Sequence, residues 1–134
     1  MDTLTRWHEI MERRDPAGLD ALIADDCVFY SPIVHTPQEG KDITIMYLSA
    51  AIEVLGGHDF RYVSELKSDR QAVLEFVCER EGIKINGVDM FSWNADGRID
   101  SFKVMVRPLK AINLLHARMK EMLEQMVAAS ARAL

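Results

Sequence analysis

The feature that most limits how this chain can fold is a change of hydrophobic period at Gly56-Gly57. Before the glycines, apolar residues recur every three or four positions, the spacing of one helix face. After them, apolar residues recur every second position, the spacing of a half-buried strand. A first helix is expected to reach about Arg14, capped by Thr3 or Thr5, with Leu4, Trp7 and Met11 on one face. Asp15-Pro16 predicts a fresh cap and a second helix over 16–24. The β-prone run 27–31 reads as a strand stopped by Pro32, and 32–40 as a loop. A third helix over 41–55 carries two apolar stripes, so it should be covered on more than one side. Strands are expected over 59–66, 71–80, 83–93 and 98–106, with Asp96-Gly97 as a hairpin turn. Leu109, Ile112, Leu115, Met119, Met122 and Met126 then predict a last helix over 108–130.

This order predicts an α+β domain. Long strands in a meander twist and coil, so the sheet should wrap around helix 41–55 and leave a concave side suited to a small molecule. The convex parity mixes Val77, Val88, Met90 and Met105 with Glu75, Lys84, Asn86 and Lys103. A face that is half apolar and half charged suggests a homodimer through the outer sheet face.

The 134 residues, 49% of them hydrophobic, and a formal charge of -5 describe one globular domain spanning 1–134. Without a basic run, neither nucleic acid nor an anionic membrane is expected as a partner. Cys27 and Cys78 lie in apolar runs without CxxC or histidine spacing, which fits buried thiols in a reducing compartment. With no secretory pattern and no apolar tract long enough to span a bilayer, a cytoplasmic location is expected. His8, His58 and His116 share no ligand spacing, so no metal is expected, and no cofactor either. Glu75 and Glu79 share the outer face, where a solvated or dimer-edge role is expected.

One position departs from the pattern. In 83–93, Ile83, Ile85, Gly87, Asp89, Phe91 and Trp93 share the core face, which places a carboxylic acid among apolar groups. Burial disfavours the charged form and raises the pKa, and a protonated acid in a dry pocket can donate to a developing oxyanion or act as a general acid. The structural alternative is that Asp89 only bonds backbone amides or a neighbouring Ser or Tyr. Trp7, Phe60, Phe76, Phe91, Trp93 and Phe102 are candidate lining residues, as are Ser31, Gly87 and Val104, although aromatics at this periodicity also serve as plain core.

The order of elements carries further markers: Ala24-Asp25-Asp26, Ser31-Pro32, Gly40, and the turn from Asn94 to Ile99. Together they resemble the nuclear transport factor 2-like superfamily, and within it the SnoaL-like group that includes polyketide cyclases and ketosteroid isomerases. The resemblance covers about 3–107, leaving 108–130 as an extra C-terminal helix. It implies a cystatin-like, cone-shaped mixed sheet around a cavity, usually in a homodimer. Set against ketosteroid isomerase, Asp89 falls at the oxyanion-hole aspartic acid. Ser31 replaces the proton-abstracting aspartate, and Trp7 replaces the catalytic tyrosine. The missing base and tyrosine argue against a steroid isomerase. The Asp–Arg–Asp set of limonene-type epoxide hydrolases is also missing from the core faces.

His35, four residues beyond Ser31, is the candidate substitute base, against the alternative of an exposed loop histidine. Tyr30 has the opposite parity to Phe29 and Ser31 and is expected to pack under the helices. Three readings follow: a cavity in which Asp89 isomerises, cyclises or hydrates a ketone-bearing apolar molecule, a non-catalytic ligand carrier or sensor, and a protein-interaction module with a solid core.

Overall fold

The computed structural model describes residues 2–133; Met1 and Leu134 of the expected 1–134 unit lie outside the described residues. The elements are α1 (Thr3–Arg13), a 3-10 turn (Pro16–Gly18), α2 (Leu19–Leu22), β1 (Ile23–Tyr30), β2 (Gln38–Glu39) and α3 (Lys41–Leu55). They continue as β3 (Arg61–Lys67), β4 (Gln71–Arg80), β5 (Ile83–Trp93), β6 (Ile99–Arg107) and α4 (Leu109–Ala133). All six strands form one curved sheet in the order β2-β1-β6-β5-β4-β3. β1 runs parallel to β6, and the remaining pairs are antiparallel. The architecture is the expected α+β cone with a C-terminal helix.

Several local expectations change. Asp2 caps α1, its carboxylate accepting from the Thr5 amide at 2.8 Å, and Thr3 is instead buried with its hydroxyl on the Gly97 carbonyl. The second helix is only a 3-10 turn and four α-helical residues. Ile23 and Ala24, both buried, already belong to β1, where Ile23 pairs with Ile99. The register shifts between Ile23 and Val28, which absorbs the exposed Asp25 and Asp26. Such a bulge hides the strand from a period-two search.

α3 lies in the concavity of the sheet with Leu48, Ala50 and Ile52 fully covered. Its C-terminal carbonyls would otherwise lack partners. Arg80 donates to the carbonyls of Val54, Leu55 and Gly56, and Arg14 donates to that of Glu53. These two cations also oppose the negative end of the helix dipole. The helix end beside the cavity is therefore fixed. Among the described residues, no helix is long and apolar enough to cross a membrane.

Candidate functional site

Strand alternation carries Asp89 into the cone. It pairs with Leu74 of β4 and Val104 of β6 and is 7% exposed. Gly87, two residues earlier on the same face, stands opposite Phe76. A Cβ on Gly87 would lie 2.4 Å from Phe76 Cζ and 2.7 Å from the Met105 carbonyl oxygen. The glycine is thus what lets the Phe76 ring lie across β5 beside the acid.

Asp89 is held by a chain of donors pointing one way. Trp7 Nε1 of α1 donates to Tyr62 Oη at 3.0 Å, and Tyr62 donates to Asp89 Oδ2 at 2.5 Å. The Tyr62 ring is partly exposed on the edge strand β3, while its hydroxyl end sits inside. Among the described residues Oδ1 has no hydrogen-bond partner, yet no buried side-chain oxygen is both sealed off and unsatisfied. Oδ1 therefore faces open space.

Burial raises the Asp89 pKa to about 7, while the Tyr62 hydrogen bond pulls the other way. Tyr62 is pushed well above its ordinary value, first by burial and then by the neighbouring Asp89 charge. The phenol therefore keeps its proton, and the carboxyl exists in both forms near neutral pH.

The open space is in two parts. An inner compartment of about 30 Å³ is lined by Asp89, Trp7, Phe60, Phe76 and Phe102, with Leu48 and Ile52 of α3 closing it. A volume of this order admits about one water-sized group. An outer cavity of about 280 Å³ lies between α3, β6, the loop after β1 and α4. Ala51, Leu55 and Val104 line both compartments, so the two are neighbours across a shared apolar wall.

The sequence-derived residues divide accordingly. Trp7, Phe60, Phe76, Phe102 and Val104 join Asp89 at the inner compartment, whereas Ser31 lines the outer cavity with Val104. Gly87 shapes the wall without lining it. Phe91 stacks on Phe102 with a centroid distance of 5.1 Å, and Trp93 packs on Phe91, so these two rings support the inner wall from behind.

The structure does not bring His35 to Asp89. His35 is exposed and lines a depression on the outer side of the rim with Tyr30, Pro37 and Lys103. Tyr30 is also not under the helices: its parity turns it to the outer face, where Lys103 Nζ lies 5.1 Å from its ring centroid. Ser31 Oγ accepts from the amides of Ile33 and Val34, which shapes the rim loop.

Tyr62 was not singled out by the sequence reading. It shares the inward parity of Phe60, but strict alternation stops there. The register shifts between Tyr62 and Ser64. Beyond the shift Glu65 takes the inward side, opposite Leu74, and meets His8 of α1 at 2.7 Å. Leu66 is turned outward and is 67% exposed. The signal that could have found Tyr62 is a tyrosine on the inward parity of a strand beside a core-facing acid, since a buried phenol requires a partner.

Among the described residues, no cluster of His, Cys, Asp and Glu has metal-holding geometry. The chain resembles several solved structures. A steroid delta-isomerase from Pseudomonas aeruginosa is 38% identical, with a TM-score of 0.88 over 94% of this chain and 92% of that one. A protein from Silicibacter pomeroyi described as having a cystatin-like fold is 27% identical, with a TM-score of 0.80 over 97% of this chain and 88% of that one. A protein from Mesorhizobium loti described as NTF2-like and of unknown function shares the fold at 23% identity and a TM-score of 0.68, over 79% of this chain and 88% of that one. No curated protein matches the sequence. The SnoaL-like domain matches residues 4–102, which include every residue of the inner compartment except Val104. On that match, the chain belongs to the SnoaL-like domain family.

Proposed function

We propose that the chain binds a small, largely apolar carbonyl compound, with its oxygen in the inner compartment against Asp89 Oδ1 and its body in the outer cavity. One observation carries this reading: a buried acid presents one unpartnered oxygen to a water-sized space that shares Ala51, Leu55 and Val104 with an apolar cavity. In its protonated form Asp89 donates from Oδ1 to the carbonyl while Oδ2 accepts from Tyr62. The Trp7–Tyr62–Asp89 donors all run toward the ligand and reinforce one another. A hydrogen bond of this kind strengthens as negative charge develops on the oxygen, which favours enolisation, cyclisation or isomerisation of a ketone.

Among the described residues, no second titratable group lines the inner compartment. His35, outside the rim, is set aside as the base. The likeness to a steroid isomerase favours a second reading, in which Asp89 both takes and returns the proton. A pKa of about 7 suits both halves of such a transfer. A carrier that binds the same ligand without turnover uses the same contacts.

The test is calorimetric titration with 2-undecanone at pH 6, where the protonated acid predominates. The expected result is binding by the native chain, weakened about tenfold in Asp89→Leu, which removes the donor to the ligand's carbonyl. Equal binding by the variant sinks the proposed contact.

The outer sheet face supports a further proposal about partners. Met105 is 52% exposed, beside half-buried Val88 and Met90. We infer that a second copy covers this face. Light scattering is expected to give a dimer that Met105→Glu splits, and a native monomer removes the inference. The free, buried thiols of Cys27 and Cys78 suit a reducing cytoplasm.

A further inference from the structure

The outer cavity is apolar through its middle, at Phe29, Tyr47, Ala51, Leu55 and Val104. Among the described residues, its acidic and basic side chains all come from α4, where His116, Lys120 and Glu124 follow one another at four-residue steps. Residues four apart share one helix face, so these three form a single line down the wall. α4 contributes Leu115, Met119 and Leu123 to the same wall, yet it lies wholly beyond residues 4–102 of the family domain. The inner compartment, Val104 apart, lies within the family domain, whereas this far wall comes from beyond it.

Of the lysines and arginines of that helix, among the described residues, Lys120 is the one that lines the outer cavity. Arg118 is turned away and pairs with Glu81 at 2.6 Å and Glu121 at 3.0 Å. Lys41 and Lys67, elsewhere in the chain, pair with Asp20, Asp25 and Asp2. Lys120 has no ion pair among the described residues, although Glu124 lies one turn further along the same face. A lysine stem can cover apolar wall while its ammonium stays at the wet edge.

We propose that the ligand carries an anionic group at the end remote from its carbonyl, and that Lys120 selects for it at the cavity mouth. This rests on the carbonyl-binding reading above and narrows it to oxo acids of apolar body. Three parts of the cavity correspond to three parts of such a molecule: the acid Asp89 to a carbonyl oxygen, the apolar middle to a hydrocarbon, and Lys120 to a carboxylate. Glu124 opposes the anion and sets a limit on the preference.

The experiment compares 2-undecanone with 10-oxoundecanoic acid, the same methyl ketone chain ending in a carboxylate, by calorimetric titration at pH 6, where Asp89 is protonated, and low salt. A solvated ion pair at the mouth gives the oxo acid an advantage of about threefold to fivefold, which falls as salt is added. Lys120→Met is expected to remove that advantage, and Glu124→Gln to widen it. Ketone binding with no preference for the oxo acid overturns the inference and leaves the cavity reading standing. A preference that survives Lys120→Met overturns it too, because the carboxylate is then bound elsewhere. Failure of both probes to bind removes the cavity reading and this inference with it.

Discussion

The two ends of the cavity are built by different means. At the inner end, positions are set by strand pairing: Asp89 between Leu74 and Val104, Gly87 opposite Phe76, and a hydroxyl wedged between Trp7 and the acid. Each group there is fixed by at least two neighbours. At the outer end, the wall is a rim loop and one face of α4, whose Met119 and Leu123 are only half-buried. The contrast teaches where chemistry and selectivity belong in such a fold. A reacting oxygen needs rigid partners, whereas a ligand's far end can be read by a less buried element.

The sharpest way to break this contrast is to ask what the inner acid costs. The Asp89 pKa is raised from 3.8 to about 7, so the folded chain holds a proton that the unfolded chain has released across that window. The unfolded state then binds fewer protons, and stability falls as pH rises from about 4 to about 7. The full drop is on the order of 4 kcal/mol, at 1.36 kcal/mol per pH unit. Asp89→Asn keeps an acceptor for Tyr62 and does not titrate. Urea unfolding is expected to show the native chain losing stability between pH 4 and pH 8 while the variant stays nearly level. Parallel curves would mean that Asp89 is wet, and the inner end would then be no drier than the mouth.

A smaller effect is expected from Tyr62→Phe. It strips a donor from Asp89 Oδ2 and leaves Trp7 Nε1 without its acceptor. Each orphaned buried group costs about 1–3 kcal/mol, reduced where water can reach the partly exposed Tyr62 ring. Because the Tyr62 hydrogen bond lowers the Asp89 pKa, its loss is expected to move that pKa above about 7. Carbon-13 titration of the Asp89 carboxyl measures the direction. A fall, or no change, would mean that the phenol does not position the acid.

The same contrast explains what the sequence disclosed. Helix 41–55 and strands 71–80 and 83–93 were legible because long periodic runs end at glycines or turns, and Lys41–Leu55, Gln71–Arg80 and Ile83–Trp93 follow them. Asp89 was legible for the same reason. Two of the three register shifts fall where the structure departs from the expectation: β1 starts at Ile23, before Asp25-Asp26, and β3 loses strict alternation after Tyr62, whereas the shift beside Ser92 leaves β5 and β6 as expected. A bulge inverts parity without changing composition, so local pattern does not reveal it. The hydrogen bond from Tyr62 to Asp89, 27 residues away, lies before that inversion and was hidden by long-range pairing alone. His35 misled because closeness in sequence to Ser31 says nothing about which side of the rim a loop side chain takes. The helical character of α4 was plain, but its place over the cavity depends on how the whole cone closes.

The smallest expected effect concerns that outer wall and sharpens the contrast most finely. Met119 is half-buried, packs against the core from α4 and faces the outer cavity. A fully buried Met→Ala change costs about 2–5 kcal/mol, largely through lost packing and the void left behind. Here one side already borders open space and water can fill what is removed, so a loss below about 1 kcal/mol is expected. The same change enlarges the wall opposite α3. Affinity for a branched ketone such as 2,6-dimethyl-4-heptanone should then rise relative to 2-undecanone, without any change in the Asp89 titration. If Met119→Ala instead moved that titration or cost as much as a core substitution, the two ends would be one cooperative unit, and selectivity could not vary independently of the acid.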